Sequence, residues 1–180
     1  MPSPHWDLRP PGVWPDLLVV HAISLPPGGR DTCHIDDLFL GRLDPTAHAC
    51  FPAIAALRLS AHFLIDRAGV ITQYVPILKR AWHAGVSRWE GRENCNDFAI
   101  GVELLGDEQT PFETVQYQQL GRLFVQLQMR LPGLTRQRIK GHEHVAPGRK
   151  WDPGPMFDWS LLEDTLDHAT AAPPWPLWWE

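Results

Sequence analysis

The sequence predicts an α/β fold in one domain spanning residues 1–180. Three observations carry that prediction. Short apolar runs rich in β-formers, Leu17-Leu18-Val19-Val20-His21 and Phe98 to Leu105, read as buried strands. Helical periodicity is clearest from Thr114 to Leu131, where Leu120, Leu123, Phe124 and Leu127 recur at three- and four-residue steps. The chain has 180 residues, 44% hydrophobic and 21% charged, the size and composition of one soluble domain with a sizeable core.

Taken in order, residues 1–16 are rich in Pro and Trp and predict an irregular leading arm. The strand Leu17–His21 follows, and Pro26-Pro27-Gly28-Gly29 marks a loop. An amphipathic piece from Ile35 to Leu40 stops at Gly41, and a second spans about Ala53 to Leu59. His62 to Val75 reads as a hairpin turning at Asp66-Arg67-Ala68-Gly69. Arg80 to Asn96 carries Gly, Trp, Arg and Asn without period, which predicts a long surface loop. After the Phe98–Leu105 strand, the Thr114–Leu131 helix is stopped by Pro132-Gly133. Arg136 to Gly141 predicts a short strand and His142 to Pro155 a loop. Ser160, with Glu163 three residues on, predicts a capping box for a last helix. From about residue 171 the tail is Pro- and Trp-rich and predicts no regular element, its Trp178-Trp179 pair either packing back on the body or marking a contact surface.

Charge narrows the function classes. Sixteen basic against 21 acidic residues give a net charge of −5 without a basic block, which argues against nucleic acid and anionic membrane as partners. The longest early apolar run, Leu17 to Val20, falls far short of the roughly 18 residues of a membrane span. Cys33, Cys50 and Cys95 cannot all pair with one another and form no C-x-x-C. With no basic and apolar leader at Met1, the expectation is a cytoplasmic protein.

Several side chains are placed for chemistry. His21 ends an apolar strand, a position that holds a ligand rigidly from behind, although a strand-end histidine bonded to backbone is the ordinary alternative. The segment from Gly141 to Gly154 gathers His142, His144, Lys150 and Asp152 between Gly and Pro. His142 and Asp152 with a distant His21 would make a two-His, one-carboxylate zinc set, while His142-x-His144 could put both imidazoles on one ion. A solvated polar loop explains the same segment without a metal. Glu103 interrupts Ile100-Gly101-Val102-Glu103-Leu104-Leu105, and alternation sets it opposite Val102 and Leu104. If its face is covered, desolvation raises its pKa toward that of a general base; a Glu facing water is the plain alternative. His62 and His83 fit either ligand or pocket-wall roles, and His5, His34, His48 and His168 default to the surface.

The order of these pieces resembles a known family. Val20-His21, Ser60-Ala61-His62-Phe63-Leu64-Ile65 and Ala81-Trp82-His83-Ala84-Gly85-Val86-Ser87 are similar to the AmpD-type zinc amidases. So are Gly91-Arg92-Glu93, Cys95-Asn96-Asp97-Phe98 and Ile100-Gly101-Val102-Glu103-Leu104. Gly141-His142, Ala146-Pro147, Arg149-Lys150, Asp152-Pro153-Gly154-Pro155 and Phe157-Asp158-Trp159 complete a colinear match from about residue 6 to 168.

That resemblance implies a mixed central sheet flanked by helices, as in type 2 amidases and peptidoglycan-recognition proteins. It also implies zinc-dependent hydrolysis of the amide between the lactyl group of (1,6-anhydro)N-acetylmuramic acid and L-alanine in recycled muropeptides. By the same resemblance His21, His142 and Asp152 are the zinc ligands, Glu103 and Lys150 the catalytic pair, and His144 a bystander. Arg58 aligns with an arginine of the family's substrate site, and His83 is a pocket or structural residue. Asn94 stands where the family has a substrate-site arginine, and Ala22 where an asparagine follows the first ligand. Both departures weaken polar contacts to substrate and leave the metal and its catalytic pair untouched. The alternatives are a non-catalytic muropeptide-binding module of the same fold and a broader amidase acting on intact wall.

Overall fold

The computed structural model describes residues 1–170 and 175–180. Its elements in chain order are β1 (Trp6–Leu8), β2 (Leu17–Ile23), α1 (Cys33–Phe39), β3 (Phe63–Ile65) and β4 (Ile71–Gln73). There follow β5 (Lys79–Ala81), β6 (Arg88–Trp89), β7 (Arg92–Glu93), β8 (Ala99–Leu105) and α2 (Thr114–Gln128). The chain then forms β9 (Ile139–Gly141), the single turn α3 (His142–Val145) and α4 (Trp159–His168). Five strands make the central sheet in the order β4-β3-β8-β2-β9. β3, β8, β2 and β9 run parallel, and β4 closes one edge antiparallel through the predicted hairpin, so the sheet is mixed.

Alternation along the buried strands assigns their residues to two faces. Leu18 and Val20 of β2 and Ile100, Val102 and Leu104 of β8 pack under Leu120, Leu123, Phe124 and Leu127 of α2 and Leu162 and Leu166 of α4. The opposite face is split. At one end Leu64 and Leu105 meet Ile35, Leu38 and Phe39 of α1. At the other, Leu17, Val19 and Ala99 meet Ala84, Cys95, Phe98 and Val145. His21 and Glu103 lie on this second face by the same parity, in the part of the sheet that neither apolar cluster claims.

Five local expectations are corrected. The leading arm is not irregular throughout: β1 pairs antiparallel with β5, Trp6 opposite Ala81. Ala53–Leu59 forms no α-helix; a 3-10 turn at Phe51–Ala53 precedes simple turns, because only Phe51 is fully buried there. Arg80–Asn96 is not a surface loop but carries β5, β6 and β7 and buries Ala84, Ser87, Cys95 and Asn96. Its order comes from side chain–backbone hydrogen bonds, which leave no periodic trace. Within the expected His142–Pro155 loop, His142–Val145 makes a helical turn. The last helix is capped by Asp158, which accepts from the Leu161 amide at 3.0 Å, and not by Ser160. Starting at Trp159 lets that ring pack with Phe157.

The tail expectation begins at residues 171–174, which lie outside the described residues. Beyond them the chain packs back on the body: Ile77 and Leu78 amides donate to the Trp178 and Trp179 carbonyls, and Arg130 covers the Trp179 ring. Among the described residues no helix is long and apolar enough to cross a membrane.

Arg9, in the arm, is buried and joins the parts of the second face. It donates to the carbonyls of Asn96 (3.1 Å), Asp97 (2.9 Å), Ile77 (3.1 Å) and Ala99 (3.0 Å). Burial lowers its pKa to about 9, against the favourable charge of Asp97, so the side chain remains a cation at neutral pH. Replacing it would strand several buried acceptors at once. Arg9→Met is expected to lose about 3–5 kcal/mol of stability, the range for breaking a buried charged network. Urea denaturation checks this through a lower midpoint at unchanged slope.

Candidate metal and catalytic site

Strand register builds the site. β2 lies between β9 and β8, with Val20 opposite Gly141 and His21 opposite Glu103. Because β9 ends at Gly141, His142 is the next residue and falls level with His21 as the chain turns into α3. Residues 142, 21 and 103 thus line up across the carboxyl ends of parallel strands, where open α/β sheets hold their ligands. Asp152 is returned to this row when its carbonyl accepts from the Glu143 amide at 2.8 Å.

His21, His142 and Asp152 are all buried, and they converge. His21 Nδ1 lies 3.0 Å from His142 Nδ1 and 3.1 Å from Asp152 Oδ2, and His142 Nδ1 lies 3.0 Å from the same oxygen. Outer partners decide what these atoms offer. His142 Nε2 stands 3.0 Å from the Ala84 carbonyl, which can only accept, so in the neutral ring the proton sits on Nε2 and Nδ1 presents its lone pair. Burial above all pushes the His21 pKa down to about 4, which makes that ring neutral as well. Burial works to raise the Asp152 pKa, and its carboxylate is held below the usual range only if the His142 and His21 nitrogens donate to it or a positive charge stands in their place. Lone pairs packed against a carboxylate oxygen repel one another unless a cation lies among them. Four-coordinate metal sites with bonds of about 2.0–2.1 Å place their ligand atoms roughly 3.3 Å apart, close to the spacing here. The donor set therefore fits a metal ion.

Glu103 completes the row and is 8% exposed. Desolvation first, and then the Asp152 charge, push its pKa well above 4.5, while Lys150 pulls it back. Lys150 is exposed, yet its charge is felt at both Glu103 and His21. Among the described residues Glu103 Oε2 has no hydrogen-bond partner, which leaves it available to an incoming group.

Two clefts open among the described residues, and neither is lined by His21, Glu103, His142 or Asp152. The larger, about 750 Å³, is lined by Trp82, Asn94, Asn96, Ala146 and Arg149 among others. A smaller one of about 430 Å³ is lined by Ala22, Ser24, Asp107 and Trp151. Asn94 has a left-handed backbone (φ 59°) and its amide donates to Asp97 at 2.9 Å. Arg58 lies on the exposed surface, 3.8 Å from Asp7 of β1, and is tied to the arm and not to the triad. His83 does join the assembly, its Nδ1 2.9 Å from His21 Nε2. His144 accepts from the Gly141 amide at 2.9 Å and stays outside the triad. The sequence reading assigned no role to Arg9, Asn96 or Gly101. A signal for Gly101 was present, since a glycine inside a buried strand marks a close approach by something else.

The fold and this row define a class. The chain belongs to the N-acetylmuramoyl-L-alanine amidase family, whose sequence pattern matches residues 11–155. Within it, the chain is 54% identical over 171 residues to the 1,6-anhydro-N-acetylmuramyl-L-alanine amidase AmpD of Escherichia coli, covering 95% of this chain and 93% of that one. Its structure is similar to that of a selenomethionine AmpD derivative, with a TM-score of 0.89 at 52% identity over 92% of both chains. It is also similar to AmiD of E. coli in complex with anhydro-N-acetylmuramic acid-L-Ala-D-γ-Glu-L-Lys, with a TM-score of 0.62 at 27% identity over 87% of this chain and 60% of that one.

The raised Glu103 pKa has a measurable sign. In the metal-free protein the folded state holds this proton more tightly than the unfolded chain, so stability is lost as pH rises from about 4.5 through the folded pKa. Glu103→Gln removes that loss. The variant is expected to match wild type near pH 4 and exceed it at pH 8, as read by denaturant midpoints of chelator-treated protein.

Proposed function

We propose that this chain hydrolyses, with one zinc ion, the amide joining the lactyl group of 1,6-anhydro-N-acetylmuramic acid to L-alanine in muropeptides, a reaction of peptidoglycan recycling. One observation carries the reading. Two imidazoles and a carboxylate from distant parts of the chain meet beside a buried glutamate, in a chain 54% identical to AmpD.

His21, His142 and Asp152 would hold the zinc, and the mixed nitrogen and oxygen donor set suits that ion. When bound, zinc supplies Lewis acidity, which makes water nucleophilic near neutral pH and polarises a carbonyl. Glu103 accepts the proton of the attacking water as its oxygen bonds to the lactyl carbonyl carbon. The same carboxyl then gives that proton to the alanine nitrogen as the C–N bond breaks, and the lactyl acid so formed loses the water's second proton to the amine or to solvent, leaving a carboxylate. The position of Glu103, level with His21, buried and with Oε2 unpartnered among the described residues, suits both halves of that transfer. Lys150 carries a positive charge next to this chemistry and stabilises the oxyanion that develops on the carbonyl oxygen. We place the reaction in the cytoplasm, a reading supported by three cysteines that are all free.

His142→Ala is expected to lose both zinc and turnover; metal analysis after dialysis and release of the alanine amine from an anhydromuropeptide check this, and an active zinc-free variant would contradict it. Glu103→Gln is expected to keep one zinc per chain while turnover falls. Lys150→Ala is also expected to keep its zinc, with turnover reduced about 10²–10³-fold, the usual effect of removing one oxyanion donor. Zinc retained with normal turnover in either variant would remove that residue from the mechanism.

A further inference from the structure

Three short motifs take no part in the chemistry above: Trp82-His83-Ala84-Gly85, Cys95-Asn96-Asp97 and the glycine of Ile100-Gly101-Val102. They meet in one place. His83 Nδ1 is 2.9 Å from His21 Nε2, and the next residue's carbonyl, at Ala84, is 3.0 Å from His142 Nε2. The outer nitrogens of both metal-facing imidazoles therefore end on two consecutive residues. That pair is fixed in turn: Asn96 Oδ1 accepts from the His83 amide at 3.1 Å and from the Ala84 amide at 2.8 Å. The His83 ring lies directly on Gly101, where a Cβ would come within 2.4 Å of its Cγ.

The geometry points to residues 83–84 as the positioning element of the metal site, with Asn96 and Gly101 holding it in place. The inference rests on the zinc reading above. An imidazole binds a metal through one nitrogen only when its proton is kept on the other. Ala84 can only accept, and His83 Nδ1, serving as acceptor, keeps the His21 proton on Nε2 and leaves Nδ1 free for the ion. His83 then carries its own proton on Nε2, which is buried without a partner among the described residues. A ring kept in place despite an unpaired N–H is one whose other nitrogen is needed. His83 is thus a positioning residue, the structural one of the two roles that the resemblance left open.

Zinc affinity, measured by competition with a chromogenic chelator, tests this on folded full-length variants. His83→Phe keeps the ring volume but loses the acceptor, and is expected to bind zinc about 10–100-fold more weakly. His83→Asn restores an acceptor near the Nδ1 position and is expected to recover most of that loss, whereas His83→Gln, whose acceptor sits further out, is not. Gly101→Ala keeps the histidine but displaces it, and is expected to weaken zinc in the same direction. Imidazole ¹⁵N spectra of wild type are expected to show His21 protonated at Nε2, with that signal altered in His83→Phe. Unchanged affinity with a raised KM would make His83 a substrate contact and overturn the inference. A lower melting temperature with unchanged affinity would make it a packing residue and overturn it equally. Wild type that binds no zinc would contradict the metal reading itself.

Discussion

The structure depends on a parallel register across three strands. β2 is central, His21 is its fifth residue, and hydrogen bonding on either side sets Glu103 level with it on β8 and brings β9 to its last residue beside Val20. A slip of one residue in either pairing would turn Glu103 to the opposite face or carry His142 out of line. The packing of the other face holds that register. Leu18, Val20, Ile100, Val102 and Leu104 are wholly buried under α2 and α4, so a slipped strand would expose them all. The hydrophobic face thereby specifies the positions of the polar residues on its reverse.

That reverse face is arranged to tolerate polar burial. Asp152, neutral His21 and a glutamate whose pKa is well raised lie together where burial disfavours isolated charge. Each imidazole is partnered on its outer nitrogen, and Lys150 contributes positive charge from the exposed side. The wall that supplies those partners, residues 83–96, is anchored from below by Arg9, so the arm, the wall and the triad form one continuous hydrogen-bonded unit. A divalent cation is the component that best reconciles two lone pairs with a carboxylate oxygen at about 3 Å. The same cation would also favour the ionised form of the neighbouring glutamate.

How much of this could be read from the residues follows from how each part is stabilised. β2, β8 and α2 are held by apolar burial, so their periods were visible, and Glu103 stood out because it broke one. His21, His142 and Asp152 were individually ambiguous, since spacing along the chain says nothing about convergence from 121 and 131 residues away. The resemblance singled them out, and the structure brings the three together. The wall was missed because two- and three-residue strands and amide-to-backbone bonds carry no hydrophobic period. The cap of α4 was misplaced because Asp158 and Ser160 are both good caps, and only the packing of Trp159 against Phe157 chooses between them. Arg58 followed from alignment alone, and the structure ties it to Asp7.

The most direct test of the account is anomalous diffraction at the zinc edge from crystals of the zinc-loaded protein. The account predicts one strong peak per chain within bonding distance of His21 Nδ1, His142 Nδ1 and Asp152 Oδ2, with both Nε2 atoms still directed at His83 and Ala84. A peak elsewhere, ligation through Nε2, or no bound zinc at that triad would contradict it.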